Sequence, residues 1–227
     1  MVFEELVRSN CRLYFHIFMS SLLFNARLYG ILDTGYVAPS GMGLMAQQLL
    51  RGGIDLLQLR AKDAPEEEII AMAAQILPWT KAAKVPLIIN DYPHLVPLVG
   101  AQGVHLGQED MSIREARAIV GKEALIGLST HSLEHVGKSI DQKPDYIGFG
   151  PLFATPTKPD YIPIGLADIA TAQAMVPFPV FCIGGITLAT LSQVIQAGAQ
   201  RIVMVSALLK DENRVEVISQ IKQKIST

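Results

Sequence analysis

Pro86-Leu-Ile-Ile-Asn-Asp-Tyr-Pro-His-Leu-Val-Pro-Leu-Val-Gly-Ala-Gln-Gly-Val-His-Leu106 is the stretch on which the fold turns. Two short apolar runs, Pro86–Asn90 and Gly103–Leu106, flank a segment that carries Pro93 and Pro97. Each run is apolar nearly throughout, the pattern of a parallel strand covered on both faces. The segment between them predicts a short or irregular helix, because proline lacks the N–H that a helix interior uses. Strand, helix, parallel strand is one βαβ unit.

The unit repeats outward in both directions. Comparable runs occupy Leu28–Leu32, Leu56–Arg60, Leu125–Leu128, Tyr146–Phe149, Val180–Ile183 and Ile202–Val205. Between them, Ile69, Ala73, Ile76 and Leu77, and again Leu188, Leu191, Val194 and Ile195, keep helical spacing. Pro65 before Glu66, Glu67 and Glu68 suits a first turn, and Ser112 with Glu115 has the spacing of a capping box. Gly52-Gly53, Gly121 and Gly198 stand where helices should stop. Eight strands alternating with helices predict an α/β fold, a single (β/α)8 TIM barrel over residues 28–227. An open doubly wound sheet shows the same alternation, but no GxGxxG follows the first strand.

Composition agrees. The 227 residues are 50% hydrophobic and 18% charged, which excludes a disordered chain. Nineteen basic against 21 acidic residues leave a net charge of −2 and no basic module, so no nucleic-acid partner is expected. Two cysteines, Cys11 and Cys182, exclude a disulfide scaffold or a zinc module. Residues 1–27 read as a helical N-terminal extension that packs on the outside or bottom of the domain and carries no chemistry. Its apolar run Leu13–Phe24 is interrupted by His16 and too short to span a bilayer, and Glu4 and Glu5 do not suit a signal peptide. No membrane partner and a cytoplasmic location are therefore expected, with homo-oligomerisation left open.

In such barrels the reacting groups lie at the carboxyl ends of the strands. Strand two exits into Gln58, Arg60 and Lys62, strand three into Asn90-Asp91, and strand four into Gln108-Glu109-Asp110. Strand five exits into Ser129-Thr130-His131, and strand six leads through Thr155 and Thr157 to Lys158. Asp91 and Asp110 beside Arg60, Lys62 and Lys158 suit a magnesium–polyphosphate complex, although ordinary rim salt bridges would use the same residues. Ile183-Gly-Gly-Ile186 and Val205-Ser206-Ala207 occupy the usual barrel phosphate position after strands seven and eight. His105 reads as a hydrogen-bonded core or rim histidine, Cys182 as a small buried hydrophobe, and Trp79 as packing. His131 stays open. The loop Thr34–Gly43 reads as a cover for the barrel mouth.

Taken together, Gln58-Leu-Arg-Ala-Lys62, Ile89-Asn-Asp91, Gly103-Val-His-Leu-Gly-Gln-Glu-Asp110, Gly127-Leu-Ser-Thr-His131, Gly150-Pro-Leu-Phe-Ala-Thr-Pro-Thr-Lys158 and Ile183-Gly-Gly-Ile186 resemble the motifs of the thiamine-phosphate synthase family. The resemblance runs from about Leu28 to the C-terminus. It implies a magnesium-dependent transferase joining a pyrimidine diphosphate to a thiazole phosphate with release of pyrophosphate. Asp91 and Asp110 would then hold Mg2+, and Arg60, Lys62, Ser129 and Lys158 would meet the diphosphate. Gln58 and Asn90 would place the pyrimidine, and Thr155 and Thr157 the thiazole. Main-chain donors of Gly185, Val205 and Ser206 would hold the thiazole phosphate. A sister family, thiazole tautomerase, shares the barrel and uses a histidine near the position of His131. That reading, and a non-catalytic barrel that binds thiazole phosphate, remain as alternatives; the intact set Gln58, Arg60, Lys62, Asn90, Asp91, Thr157 and Lys158 favours the synthase.

Overall fold

The computed structural model describes residues 21–155, 157 and 161–225. Strands β1 (Leu28–Asp33), β2 (Leu56–Arg60), β3 (Leu87–Asn90), β4 (Gly103–Leu106), β5 (Leu125–Thr130), β6 (Tyr146–Phe149), β7 (Val180–Cys182) and β8 (Ile202–Met204) pair in chain order, each parallel to the next. The last closes on the first, with Leu28 opposite Ile202 and Gly30 opposite Met204. The sheet is a closed barrel, which settles the choice against an open doubly wound sheet.

The helices that follow the strands among the described residues are α1 (Met42–Gly52), α2 (Glu66–Ala83), α3 (Leu95–Val99), α4 (Ile113–Val120), α5 (Leu133–Gln142), α6 (Ile169–Met175), α7 (Leu188–Gln196), α8 (Ser206–Leu209) and α9 (Arg214–Ile225). Local chemistry explains their limits. Ser112 and Glu115 form the expected capping box of α4, the Ser112 hydroxyl accepting the Glu115 N–H and the Glu115 carboxylate accepting the Ser112 N–H. Gly53 ends α1 at φ 97°, a conformation open to glycine without strain. With Pro93 just before it and Pro97 inside it, α3 is only five residues long. No described helix is long and apolar enough to cross a membrane.

Closure gives the continuous apolar runs a second meaning. Side chains still alternate along each strand, but both faces are buried, in two different cores. Leu28, Leu32, Leu57, Leu59, Ile89 and Phe149 point outward into the layer shared with the helices. Tyr29, Ile31, Leu56, Ile88, Leu125, Tyr146, Phe181 and Val203 form the separate interior core. Three rings dominate it, with Tyr29, Tyr146 and Phe181 in mutual edge-to-face contact at centroid separations of 5.5–5.9 Å.

At the amino-terminal end, residues 21–25 are helical, and Leu23 and Ala26 join the interior core. The Arg201 guanidinium donates to the Phe24 carbonyl at 3.0 Å. The rest of the expected extension, residues 1–20, lies outside the described residues. Cys182 is fully buried, and burial pushes its thiol up to about 12, in keeping with a packing role. Trp79 is corrected: it is 40% exposed, because the buried stripe of α2 runs through Ile69, Met72, Ala73, Ile76, Leu77 and Thr80.

Gly127 faces the barrel axis on β5, and a Cβ there would sit 2.2 Å from Cζ of Tyr146 and 2.4 Å from Nδ1 of His105. Gly127→Ala should therefore cost about 2 kcal/mol or more of stability by overpacking, read as a lower urea midpoint with an unchanged slope.

Candidate active site

Alternation carries each strand's last inward residue to the mouth at the carboxyl end. There the inward positions turn polar, with Asp33 on β1, Gln58 and Arg60 on β2, Asn90 on β3, His105 on β4 and Ser129 on β5. These six residues line one cavity of about 230 Å³, together with Tyr29, Tyr146 and Phe181 of the interior core. Gly184, Gly185 and Thr187 after β7, and Val205 and Ser206 after β8, complete the far wall.

Two sets of contacts hold the polar wall. Arg60 Nη1 donates to Asp33 Oδ2 at 2.6 Å, with the Asp33 side chain only 3% and that of Arg60 15% exposed. The other Asp33 oxygen accepts the Gly35 N–H at 2.7 Å, so one carboxylate both aims the guanidinium and starts the loop after β1. Deeper in, Gln58 Nε2 donates to the Tyr29 hydroxyl at 2.6 Å, and that hydroxyl lies 3.0 Å from the Tyr146 hydroxyl. His105 joins Tyr146 through Nδ1 at 3.2 Å and Ser129 Oγ through Nε2 at 3.0 Å. Burial holds both phenols well above their ordinary range, so they stay neutral.

The glycine wall owes its shape to missing side chains. Gly184 and Gly185 have φ of 103° and 66°, and a Cβ on Gly184 would lie 2.4 Å from Pro151 Cα. That close approach lets Leu152 N–H donate to Ile183 O at 2.9 Å and Phe153 N–H to Gly184 O at 3.0 Å, joining the loops after β6 and β7. Tyr36, in the loop expected to cover the mouth, shares a 2.9 Å hydroxyl–hydroxyl hydrogen bond with Thr157. His131 lines the cavity too, with Nδ1 hydrogen-bonded to the Gly150 carbonyl.

Of the site residues expected from sequence, Gln58, Arg60, Asn90, Ser129, Thr155, Thr157, Gly185, Val205 and Ser206 meet around this cavity. Three others lie outside its lining: Lys62 and Asp110, both exposed, and Asp91, half-buried just past β3. Lys158 lies outside the described residues.

A family model described as Thiamine monophosphate synthase matches residues 28–208, the whole barrel but its last helix. The chain belongs to the thiamine monophosphate synthase family. It is 36% identical over 188 residues to a thiamine-phosphate synthase of Halalkalibacterium halodurans, covering 82% of this chain and 89% of that one. A thiamine-phosphate synthase of a Synechococcus strain is 40% identical over 202 residues, 88% of this chain but 57% of that longer protein. Among solved structures, the thiamine phosphate pyrophosphorylase of Pyrococcus furiosus superposes with a TM-score of 0.81 at 27% identity, over 92% of this chain and 98% of that one.

The magnesium that this family implies can be weighed against the donors present. Asp91 follows β3 directly, its N–H donating to the His105 carbonyl of β4 at 2.9 Å, and Asp110 lies in the loop after β4, Oδ2 accepting the Gly107 N–H at 2.6 Å. No group of three or more His, Cys, Asp or Glu side chains converges among the described residues. Magnesium commonly takes one or two carboxylates and completes its shell with water and substrate phosphate, so a pair of rim aspartates is a suitable donor set.

Asp33, Tyr29 and Tyr146 were missed by sequence reasoning, whereas His105, expected as a hydrogen-bonded core or rim histidine, is one: it bonds to Tyr146 and Ser129 and lines the cavity. The signal was available for Asp33: extending the Tyr29, Ile31 alternation by one step reaches it. Asp33→Asn keeps an acceptor for Gly35 but leaves Arg60 without its anion. It should cost about 2–4 kcal/mol, since losing one partner of a buried pair strands the other, less what the exposed edge of Arg60 recovers from water. Chemical denaturation of the purified variant measures it.

Proposed function

We propose that this chain joins 4-amino-2-methyl-5-hydroxymethylpyrimidine diphosphate to a thiazole phosphate, giving thiamine phosphate and pyrophosphate. The observation that carries the reading is the polar half-ring from Asp33 to Ser129 facing the Gly184-Gly185 wall across one cavity, in a chain of this family. One wall offers charged and hydrogen-bonding groups, and the other offers main-chain donors, as two differently placed phosphates require.

The reaction breaks the C–O bond between the pyrimidine methylene and the diphosphate and bonds that carbon to the thiazole nitrogen. The aminopyrimidine ring feeds electron density to the methylene as the bond breaks, so a cation forms before capture and no protein nucleophile is needed. The protein's work is to hold the departing charge and keep the acceptor close. Arg60, aimed by Asp33, and Ser129 take diphosphate oxygens, with Lys62 and Lys158 adding positive charge. Gln58 and Asn90 hold the pyrimidine edge, while Thr155 and Thr157 hold the thiazole. Main-chain N–H groups of Gly185, Val205 and Ser206 take the thiazole phosphate. Asp91 and Asp110 would hold magnesium, which when bound offsets part of the diphosphate's negative charge. The ring-lined interior keeps water from the cation.

Incubating the purified chain with both substrates and magnesium should yield thiamine phosphate and pyrophosphate in equal amounts. Chelation should abolish the reaction and added Mg2+ restore it. Asp91→Asn or Lys158→Ala should lower kcat/KM by about 100-fold or more, near 3 kcal/mol of transition-state stabilisation. Near-wild-type turnover of either variant at saturating magnesium, or tautomerisation of a thiazole carboxylate without coupling, would overturn the reading.

A further inference from the structure

We propose that Tyr29 and Tyr146 are positioning residues, which act through His105 to keep the Ser129 hydroxyl a hydrogen-bond donor into the cavity. The chain Gln58–Tyr29–Tyr146–His105–Ser129 crosses the barrel interior with each link at 2.6–3.2 Å. Its direction follows from counting hydrogens. Each phenol is buried and neutral, so it has one hydrogen to give. Tyr29 already accepts from the Gln58 amide, so its own hydrogen goes to Tyr146. Tyr146 in turn donates to His105 Nδ1. A bare Nδ1 makes His105 the Nε2–H tautomer, which donates to Ser129 Oγ.

Were Tyr146 instead to donate to Tyr29, the Tyr29 hydrogen would be left in the barrel interior without an acceptor, an arrangement that buried polar groups avoid. Ser129 therefore accepts from behind, and no described residue accepts its own hydrogen. That hydrogen is available to whatever occupies the cavity. The polarity suits an anion, which only accepts, and on this point the inference rests on the diphosphate placed at Ser129 above. With the opposite polarity, Ser129 would spend its hydrogen on His105 and present only lone pairs to a negatively charged group. The two phenols thus make a donor of Ser129 from a distance, without touching the diphosphate.

Two measurements test this, one of which needs no substrate. Nitrogen-15 shifts of the His105 ring in the ligand-free chain at neutral pH should report one neutral Nε2–H tautomer. Tyr146→Phe, and independently Tyr29→Phe, should turn it into a tautomer mixture. In the synthase assay, Ser129→Ala should lower kcat/KM by about 10- to 100-fold and Tyr146→Phe by about 5- to 10-fold, the scale of hydrogen bonds to a charged group. The double variant should be no slower than Ser129→Ala alone, since Tyr146 acts through Ser129. An Nδ1–H tautomer or an imidazolium in the wild-type chain, or losses that multiply in the double variant, would overturn the proposal. A wild-type chain without synthase turnover would remove the proposed function instead, and the ring nitrogens would still decide the polarity.

Discussion

Closure of eight parallel strands is the constraint from which the rest of this molecule follows. With β8 hydrogen-bonded to β1 there is no sheet edge, and every strand residue faces either the barrel axis or the helices. The axis has little room. Tyr29, Tyr146 and Phe181 fill much of it, and Gly127 provides space beside the Tyr146 ring. Large rings from a few strands and glycine from another fill a narrow cylinder without overpacking it.

The same geometry separates the two ends by task. At the amino-terminal end, carboxylates act as braces. Asp55 accepts the N–H groups of Arg27 and Leu28 at 2.8 and 2.9 Å and pairs with Lys222, tying β1 to the final helix. Asp145 does the same between β5 and β6, accepting from Ile126 N–H at 2.7 Å and from Arg117 at 2.6 Å. At the carboxyl end, Asp33 is aimed into the cavity and holds Arg60 there. One residue type serves as clamp or as active-site anchor, according to which end of a strand it occupies. Because the polar groups of the mouth stand on strands and bond to one another, they need little rearrangement to meet developing charge.

Much of this was legible along the chain. Strands β2, β4 and β6 start and stop where turn residues bracket the apolar runs. The α4 capping box was legible because its partners are three residues apart. Its counterpart at α7, where Thr187 pairs with Thr190, was missed because threonine stands where glutamate or glutamine usually signals the motif. β1 and β5 run further than their apolar runs suggest, to Asp33 and Thr130. Reading strands by apolarity trims away the polar inward residues at their carboxyl ends, which in a barrel are the ones that reach the mouth. Gln58, Arg60, Asn90 and Ser129 were found through recognisable motifs, whereas Asp33, Tyr29 and Tyr146 lay outside every motif that was read.

The sequence by itself determined the alternation of strands and helices, the caps or stops of α1, α2, α4 and α7, and the collection of polar residues at one set of strand ends. These depend on partners a few residues apart, where backbone geometry and hydrogen bonding leave few choices. Only the tertiary structure decided that the sheet closes, that Asp33 rather than solvent holds Arg60, and that Tyr29 meets Tyr146 across 117 residues of chain. Those contacts exist because burying two cores at once brings distant strands together, and no local period records which inward-facing residues will then be neighbours.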